Sequence, residues 1–244
     1  MKKNITVTFI QHSGFLVETE TSYLLFDYWK GTIPSLLPDK DLYVFASHFH
    51  HDHYTKAIFD LKESCRNTYY IMSDDIRRSS SYWKQVSNYH FMKPGDVSRF
   101  GACHVQAFDS TDEGVAFLVD IDGWVFFHAG DLHWWDWPGE PEEENRMMEK
   151  RYCAEIDLLR GRKIDAAFIV LDPRQEESGG LGMDYFVSHI DAGHIFPMHC
   201  WEDYGYIRNY YQRQKSLFRQ GQFMLVQEEG QTFKLEASDI AVIR

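Results

Sequence analysis

The sequence predicts an α/β fold in which two β-sheets pack together and helices lie outside them. Short strand signals crowd the first half, and helical spacing enters only in the second half, between further strands. No repeat, low-complexity tract or Gly/Ser linker interrupts the 244 residues. Hydrophobic residues make up 44% of the chain and aromatics 16%, which supplies a large core and argues against disorder. Folds of this class often use about 200–250 residues as one unit, so residues 1–244 are expected to form a single domain.

Residues 5–9, Ile-Thr-Val-Thr-Phe, alternate apolar and polar and read as the start of a first strand, not as an export signal. Strands at 6–11, 15–18 and 23–26 make a meander, turned at Ser13-Gly14 and at Glu20-Thr21-Ser22. Residues 42–47, Leu-Tyr-Val-Phe-Ala-Ser, are a short apolar run suited to a strand buried on both faces. Further strands are expected at 68–72, 97–100, 104–108, 115–120 and 124–128. The last two are joined by Ile121-Asp122-Gly123, where Asp-Gly signals a hairpin. Pro141-Glu142-Glu143-Glu144 opens a helix, because proline is tolerated in the first turn and acids suit the positive end of the dipole. Met148, Tyr152, Ile156 and Leu159 follow at helical spacing, and Gly161 stops the helix. Buried strands at 166–171 and 194–198, a helix over 204–219 and strands at 223–226 and 232–235 complete the chain.

Charge and cysteine content narrow the function classes. With 25 Lys+Arg against 37 Asp+Glu the net charge is −12, which repels phosphate backbones and argues against nucleic-acid partners. It leaves room for a local basic pocket that takes a small anionic substrate. No run approaches the roughly 18 apolar residues of a membrane span. Cys65, Cys103, Cys153 and Cys200 form no Cys-x-x-Cys pair, so reduced thiols in a cytoplasmic protein are expected. Cys200 stands apart because it follows His199.

The sharpest feature is Ser47-His48-Phe49-His50-His51-Asp52-His53-Tyr54, directly after the 42–47 strand. His48, His50, Asp52 and His53 are four potential ligands within six residues, on a loop that leaves a buried strand. They can reach one small region without costly folding of the chain between them. Imidazole suits zinc, iron and related ions, and a nearby carboxylate can ligate or hold a metal-bound water. The competing reading, a solvated His-rich run, fits poorly with a position between a buried strand and further structure.

The order His-x-His-x-Asp-His after a strand resembles the signature of the metallo-β-lactamase superfamily. The resemblance implies a four-layer αββα sandwich, two mixed β-sheets flanked by helices, with residues 1–244 as one metallo-β-lactamase-like hydrolase domain and metals at one edge of the sheets. It also implies ligands downstream. Asp131, in Trp124-Val-Phe-Phe-His-Ala-Gly-Asp131, fits the bridging aspartate, and His199, ending Ile195-Phe-Pro-Met-His199, fits the last histidine. The match covers roughly residues 5–200. One piece departs from it: the usual third histidine of the first site is missing from Phe108-Asp109-Ser110-Thr111-Asp112-Glu113-Gly114. Either Asp112 or Asp109 supplies oxygen in its place, or the first site is empty and Asp52, His53, Asp131 and His199 hold the metal alone. A carboxylate there would make the site harder and favour manganese, iron or a weaker zinc site.

Around these residues, His12 sits where sugar-lactonase-like members carry a Gly-His pair, as a neighbour of the ligands or of the substrate, or else as a turn histidine. The N-terminal meander with Gln11-His12-Ser13-Gly14 is similar to the branch containing the ascorbate-phosphate lactonase. Asp27 ends a strand at the same edge and is expected to orient a ligand histidine or to serve a turn. His128 is expected to pack, and His51, His90, His133, His189 and His194 to be surface or structural. Trp134, Trp135 and Trp137 after Asp131, and Trp201 and Tyr204 after His199, are next to the ligand loops and are candidate pocket walls with His12, or else core residues. The cofactor expected is a divalent metal, one or two ions, zinc with manganese or iron as alternatives. Asp52 would hold the attacking water and take or return its proton. The resemblance implies hydrolysis of a small-molecule ester, lactone or phosphoester. Two other classes stay open: a non-hydrolytic metal-binding sensor or scaffold with a degenerate first site, and a di-iron redox protein, whose usual flavin-binding domain has no counterpart here.

Overall fold

The structure, a computed structural model, describes residues 2–237. The chain runs β1 (Ile5–Gln11), β2 (Gly14–Glu18), β3 (Ser22–Phe26), β4 (Asp41–Ala46), β5 (Asn67–Ser73), α1 (Asp74–Ser79), β6 (Tyr89–Met92), β7 (Val97–Phe100), β8 (Cys103–Asp109), β9 (Val115–Ile121) and β10 (Trp124–His128). It continues through α2 (Glu142–Asp157), β11 (Lys163–Val170), α3 (Leu181–His189), β12 (Asp191–Met198), α4 (Tyr204–Gln214) and β13 (Thr232–Leu235). Short 3₁₀ segments span Lys56–Glu63 and Pro173–Gly180 among others.

Two mixed sheets result. The first has the order β13-β1-β2-β3-β4-β5-β6 and the second β12-β11-β10-β9-β8-β7. In the first, β1 to β3 and β13 pair antiparallel while β3 to β6 pair parallel. In the second, β7 to β10 are antiparallel and β10 to β12 parallel.

The alternation of strand side chains sorts the core into layers. Along β4, Tyr43 and Phe45 join the cluster between the sheets, while Leu42, Val44 and Ala46 join a second cluster on the outer face. Phe15 meets Phe168 at 4.5 Å and Phe45 meets Phe117 at 5.3 Å, pairs that lock one sheet to the other. Ile58, Phe59 and Ile76 of the Lys56–Glu63 segment and α1 cover the outer face of the first sheet. On the other side α3 stacks Phe186 on Phe127 of β10, and α2 and α4 bury Tyr152, Ile156, Ile207 and Tyr210 in the same cluster. This is the four-layer αββα sandwich. Among the described residues no helix is long and apolar enough to cross a membrane.

Several elements differ from the expectations. Residues 223–226 form no strand; Phe223 makes one isolated bridge to Ile195. The helix expected over 204–219 stops at Gln214 and tightens into a 3₁₀ turn at Lys215–Leu217. Helix α3 lies where no helix was expected, because Gly179, Gly180 and Gly182 weaken the local signal. Gly182 is needed for close approach: a Cβ there would sit 2.6 Å from His133 Nδ1.

Candidate metal centre

At one edge of the sandwich the strand ends of both sheets converge. The first sheet contributes the β1–β2 turn with His12, the end of β3 with Asp27, and the loop after β4 with His48, His50, Asp52 and His53. The second contributes the β8–β9 loop with Asp112, the end of β10 with Asp131, the end of β11 with Asp172, and the end of β12 with His199. His53 and Tyr54 both donate backbone N–H to His50 O at 3.0 Å, a tight turn that brings the loop's ligands together. His199 N donates to His12 O at 3.1 Å, tying the two sheets at the site itself.

The side chains fall into two groups, each with ligand atoms within 4.8 Å of one another. His12, Asp52, His53 and His199 are all buried; His48, His50, Asp112 and Asp131 form the other group, with His50 and Asp112 exposed. Asp131 stands between the groups. Its Oδ1 lies 3.1 Å from His53 Nε2 and 3.4 Å from His199 Nε2, and its Oδ2 lies 3.5 Å from His48 Nε2. The structure brings Asp112, not Asp109, to the histidines, with His50 Nδ1 3.7 Å from Asp112 Oδ2. Asp109 Oδ1 instead accepts from Ser110 N.

The hydrogen bonds behind the histidines fix which nitrogen faces inward. His53 Nδ1 donates to Asp27 Oδ2 at 2.8 Å, and His199 Nδ1 donates to Asp172 Oδ2 at 3.0 Å. Ser47 Oγ gives its proton to Asp27 Oδ2 at 2.6 Å, so it accepts from His48 Nδ1 at 2.9 Å. In the neutral rings that a metal requires, all three Nε2 atoms present lone pairs toward the Asp131 carboxylate, itself only an acceptor. The Nε2 atoms of His48, His53 and His199, with Asp131 Oδ1, are buried and make no hydrogen bond among the described residues. Acceptors converging on acceptors are satisfied by a cation, and imidazoles with carboxylates are the donor set of zinc, iron and manganese. The residues fit a metal.

The electrostatics follow the same geometry. Burial opposes charge on Asp131, but His53, His199 and His48 hold its carboxyl well below the usual range. Burial also opposes charge on Asp52, which His12 and His53 nevertheless keep ionised. Burial pushes His48 down to about 3, with His53 adding to it, and lowers His12 to about 4 against the pull of Asp52. His53 goes the other way: burial lowers it, yet Asp131 and Asp27 outweigh burial and raise it. Burial and the neighbouring Asp131 raise Asp112.

A cavity of about 250 Å³ opens onto the centre. Asp52, Asp112, Asp131 and His199 line it, with Trp135, Trp137, Met148, Thr111 and Arg174 around them. Of the expected pocket walls, Trp135 and Trp137 line the cavity and the others are placed differently. His12 is 2% exposed and belongs to the buried ligand group, 4.1 Å ring to ring from His199. Trp134 turns away to Tyr185 of α3, because tight turns from His133 to Asp136 send neighbouring indoles to opposite sides; Trp135 and Trp137 face the cavity, stacked at 5.6 Å. Tyr204 packs edge-on against Phe9 of the core. Trp201 is 39% exposed and covers His12 at 4.6 Å without lining the cavity. His128 is structural: Nε2 donates to Ser13 O at 2.9 Å and the ring stacks on Phe26. His133 is fully buried beside Trp135 and Tyr152, not at the surface.

Sequence reasoning missed Asp172 and Arg174. Asp172 follows the buried β11 just as Asp27 follows β3, and that position was the available signal. Arg174 Nε donates to both Asp172 oxygens at 3.0 Å and Nη2 donates to Oδ2.

Solved structures share this fold. The chain is similar to Igni18, a metallo hydrolase from the hyperthermophilic archaeon Ignicoccus hospitalis (16% identity, TM-score 0.64, covering 96% of this chain and 100% of that one). It is similar to the metallo-β-lactamase fold protein YhfI from Bacillus subtilis (15%, TM-score 0.61, 96% and 100%). It is also similar to CmlA, a diiron β-hydroxylase from Streptomyces venezuelae (10%, TM-score 0.59), covering 97% of this chain but 55% of CmlA. At these identities the likeness is one of fold. No curated protein matches the chain. The family model described as a β-lactamase superfamily domain matches residues 6–137, more than half of the sequence and the whole stretch from His12 to Asp131, and the chain belongs to that superfamily.

Proposed function

We propose that this chain is a metal-dependent hydrolase that cleaves an ester, lactone or phosphoester bond of a small molecule, as a single domain over residues 1–244 in the cytoplasm. The observation that carries the reading is the convergence of three buried Nε2 atoms, each without a hydrogen bond among the described residues, on the Asp131 carboxylate. His48, His50, Asp112 and Asp131 would hold one ion, and His12, Asp52, His53 and His199 the other, with Asp131 shared. One or two divalent ions, zinc first and manganese or iron as alternatives, would polarise the scissile carbonyl or phosphoryl oxygen and acidify a water.

The chain's own groups do the rest. Asp52 lines the cavity and is held ionised beside His12, so it can orient a water and take or return a proton. Asp27 and Asp172 lock two ligand histidines in the required tautomer. Trp135, Trp137 and Met148 give the cavity an apolar wall. The net charge of −12 supports a small-molecule substrate over a nucleic acid.

The Asp112 carboxylate favours a second reading, an iron-loaded centre with redox chemistry, since it makes one group harder than a three-histidine site. Metal content of the untagged protein, compared with Asp112→Ala and His199→Ala, tests the site. Two equivalents falling to about one in Asp112→Ala support the dinuclear hydrolase. One equivalent that survives Asp112→Ala but not His199→Ala leaves a mononuclear centre. Tight metal binding without turnover of phosphodiester or lactone substrates would sink the hydrolase reading in favour of a sensor, and an iron-dependent visible band would favour redox.

A further inference from the structure

Among the residues lining the cavity, Arg174 is the one Lys or Arg; the other charged groups are Asp52, Asp112 and Asp131. Its Nε and Nη2 edge is committed to Asp172, the carboxylate that orients His199. A guanidinium has a second donor edge, and among the described residues no hydrogen bond engages Nη1. The side chain is 47% exposed. Two indoles hold the planar head in place: it lies 4.7 Å from the Trp201 ring and 5.5 Å from the Trp137 ring, both within cation–π range. The result is a pre-positioned cation with an open fork, in the same small cavity as the metal ligands.

A buttress for Asp172 would need only the edge already in use. The free edge, fixed by two aromatic faces, suits a planar or tetrahedral anion. We propose that the substrate carries, besides the bond that is cleaved, an anionic group, either carboxylate or phosphate, and that Arg174 receives it. This inference rests on the hydrolase reading and names its substrate class. The cavity of about 250 Å³ lies below the usual range of about 300–1,000 Å³ for ligand pockets, so anion and scissile bond must sit within one small molecule.

Titration calorimetry on the zinc-loaded protein tests this without turnover, using succinate, 3-phosphonopropionate and the neutral-ended succinamate. The wild type is expected to bind at least one of the two dianions about tenfold more tightly than succinamate, and the stronger dianion identifies the anion as carboxylate or phosphate. Arg174→Ala is expected to bring that preference within about twofold, and Arg174→Lys to keep part of it. A wild type without the preference, or an Arg174→Ala that retains it, overturns the proposal. So does an equal loss of affinity for all three probes, the signature of a residue that only props up Asp172. If Arg174→Ala sheds zinc, the same comparison on Arg174→Gln decides. Selective anion binding with no hydrolysis of any ester would remove the hydrolase reading and leave the anion subsite standing.

Discussion

Asp27 closes β3 and its Oδ2 holds His53 Nδ1 at 2.8 Å, so a residue far from the His-rich loop in sequence sets which nitrogen that loop presents. The same carboxylate accepts from the backbone N–H and the hydroxyl of Ser47, and through Ser47 it also fixes His48. Asp27→Ala should therefore loosen two ligands at once. Metal affinity is expected to fall by about 10–100-fold, read by chelator competition, while far-UV circular dichroism stays native.

Gly114 permits the contact between the Asp112 loop and the start of the His-rich loop. Its φ is +73°, and a Cβ would lie 2.0 Å from Ser47 O and 2.5 Å from the His48 Cβ. Gly114→Ala should cost at least about 2 kcal/mol in denaturant unfolding and lower the metal stoichiometry. Gly95→Ala is the control: φ is +87° but nothing lies within 4 Å of the added carbon. It should cost about 1 kcal/mol and leave the metal content unchanged.

Asp184 of α3 accepts from Tyr210 Oη at 2.6 Å and from Gln214 Nε2 at 3.0 Å, and burial raises its pKa. A carboxyl raised by folding supports the fold when protonated, and that support is lost as pH rises through its folded value. Asp184→Asn keeps the Tyr210 acceptor without the charge. Its stability relative to the wild type should increase between pH 3 and pH 7, measured by urea unfolding; a flat difference would contradict the linkage.

Burial pushes the Cys200 thiol up to about 12 and raises Cys103 as well. Both are buried, whereas Cys65 and Cys153 are partly exposed. A disulfide reagent at pH 8 should find two thiols in the native protein and all four after unfolding.

The legible part of this molecule is the part written on one stretch of chain. His48, His50, Asp52 and His53 follow one apolar strand, so a short pattern places them together, and the superfamily resemblance then gives Asp131 and His199 their order. Asp112 could be narrowed only to a choice with Asp109, because a loop has no periodicity to say which carboxylate points inward. The same limit left Trp134 unseparated from Trp135 and Trp137, which line the cavity. Asp172 and Arg174 stayed hidden because their role depends on where β11 ends relative to β12, a relation between parallel neighbours that no local window contains. Strands were easier to read than α3, where Gly182 and the two glycines just before the helix serve close packing and dilute the helical signal.

Each ligand group draws side chains from both sheets: His12, Asp52 and His53 meet His199, and His48 and His50 meet Asp112 and Asp131. An ion held there is a rivet through the sandwich. Its presence should slow the parting of the two layers at that edge, so amide exchange around His12 and His199 would report whether the site is loaded.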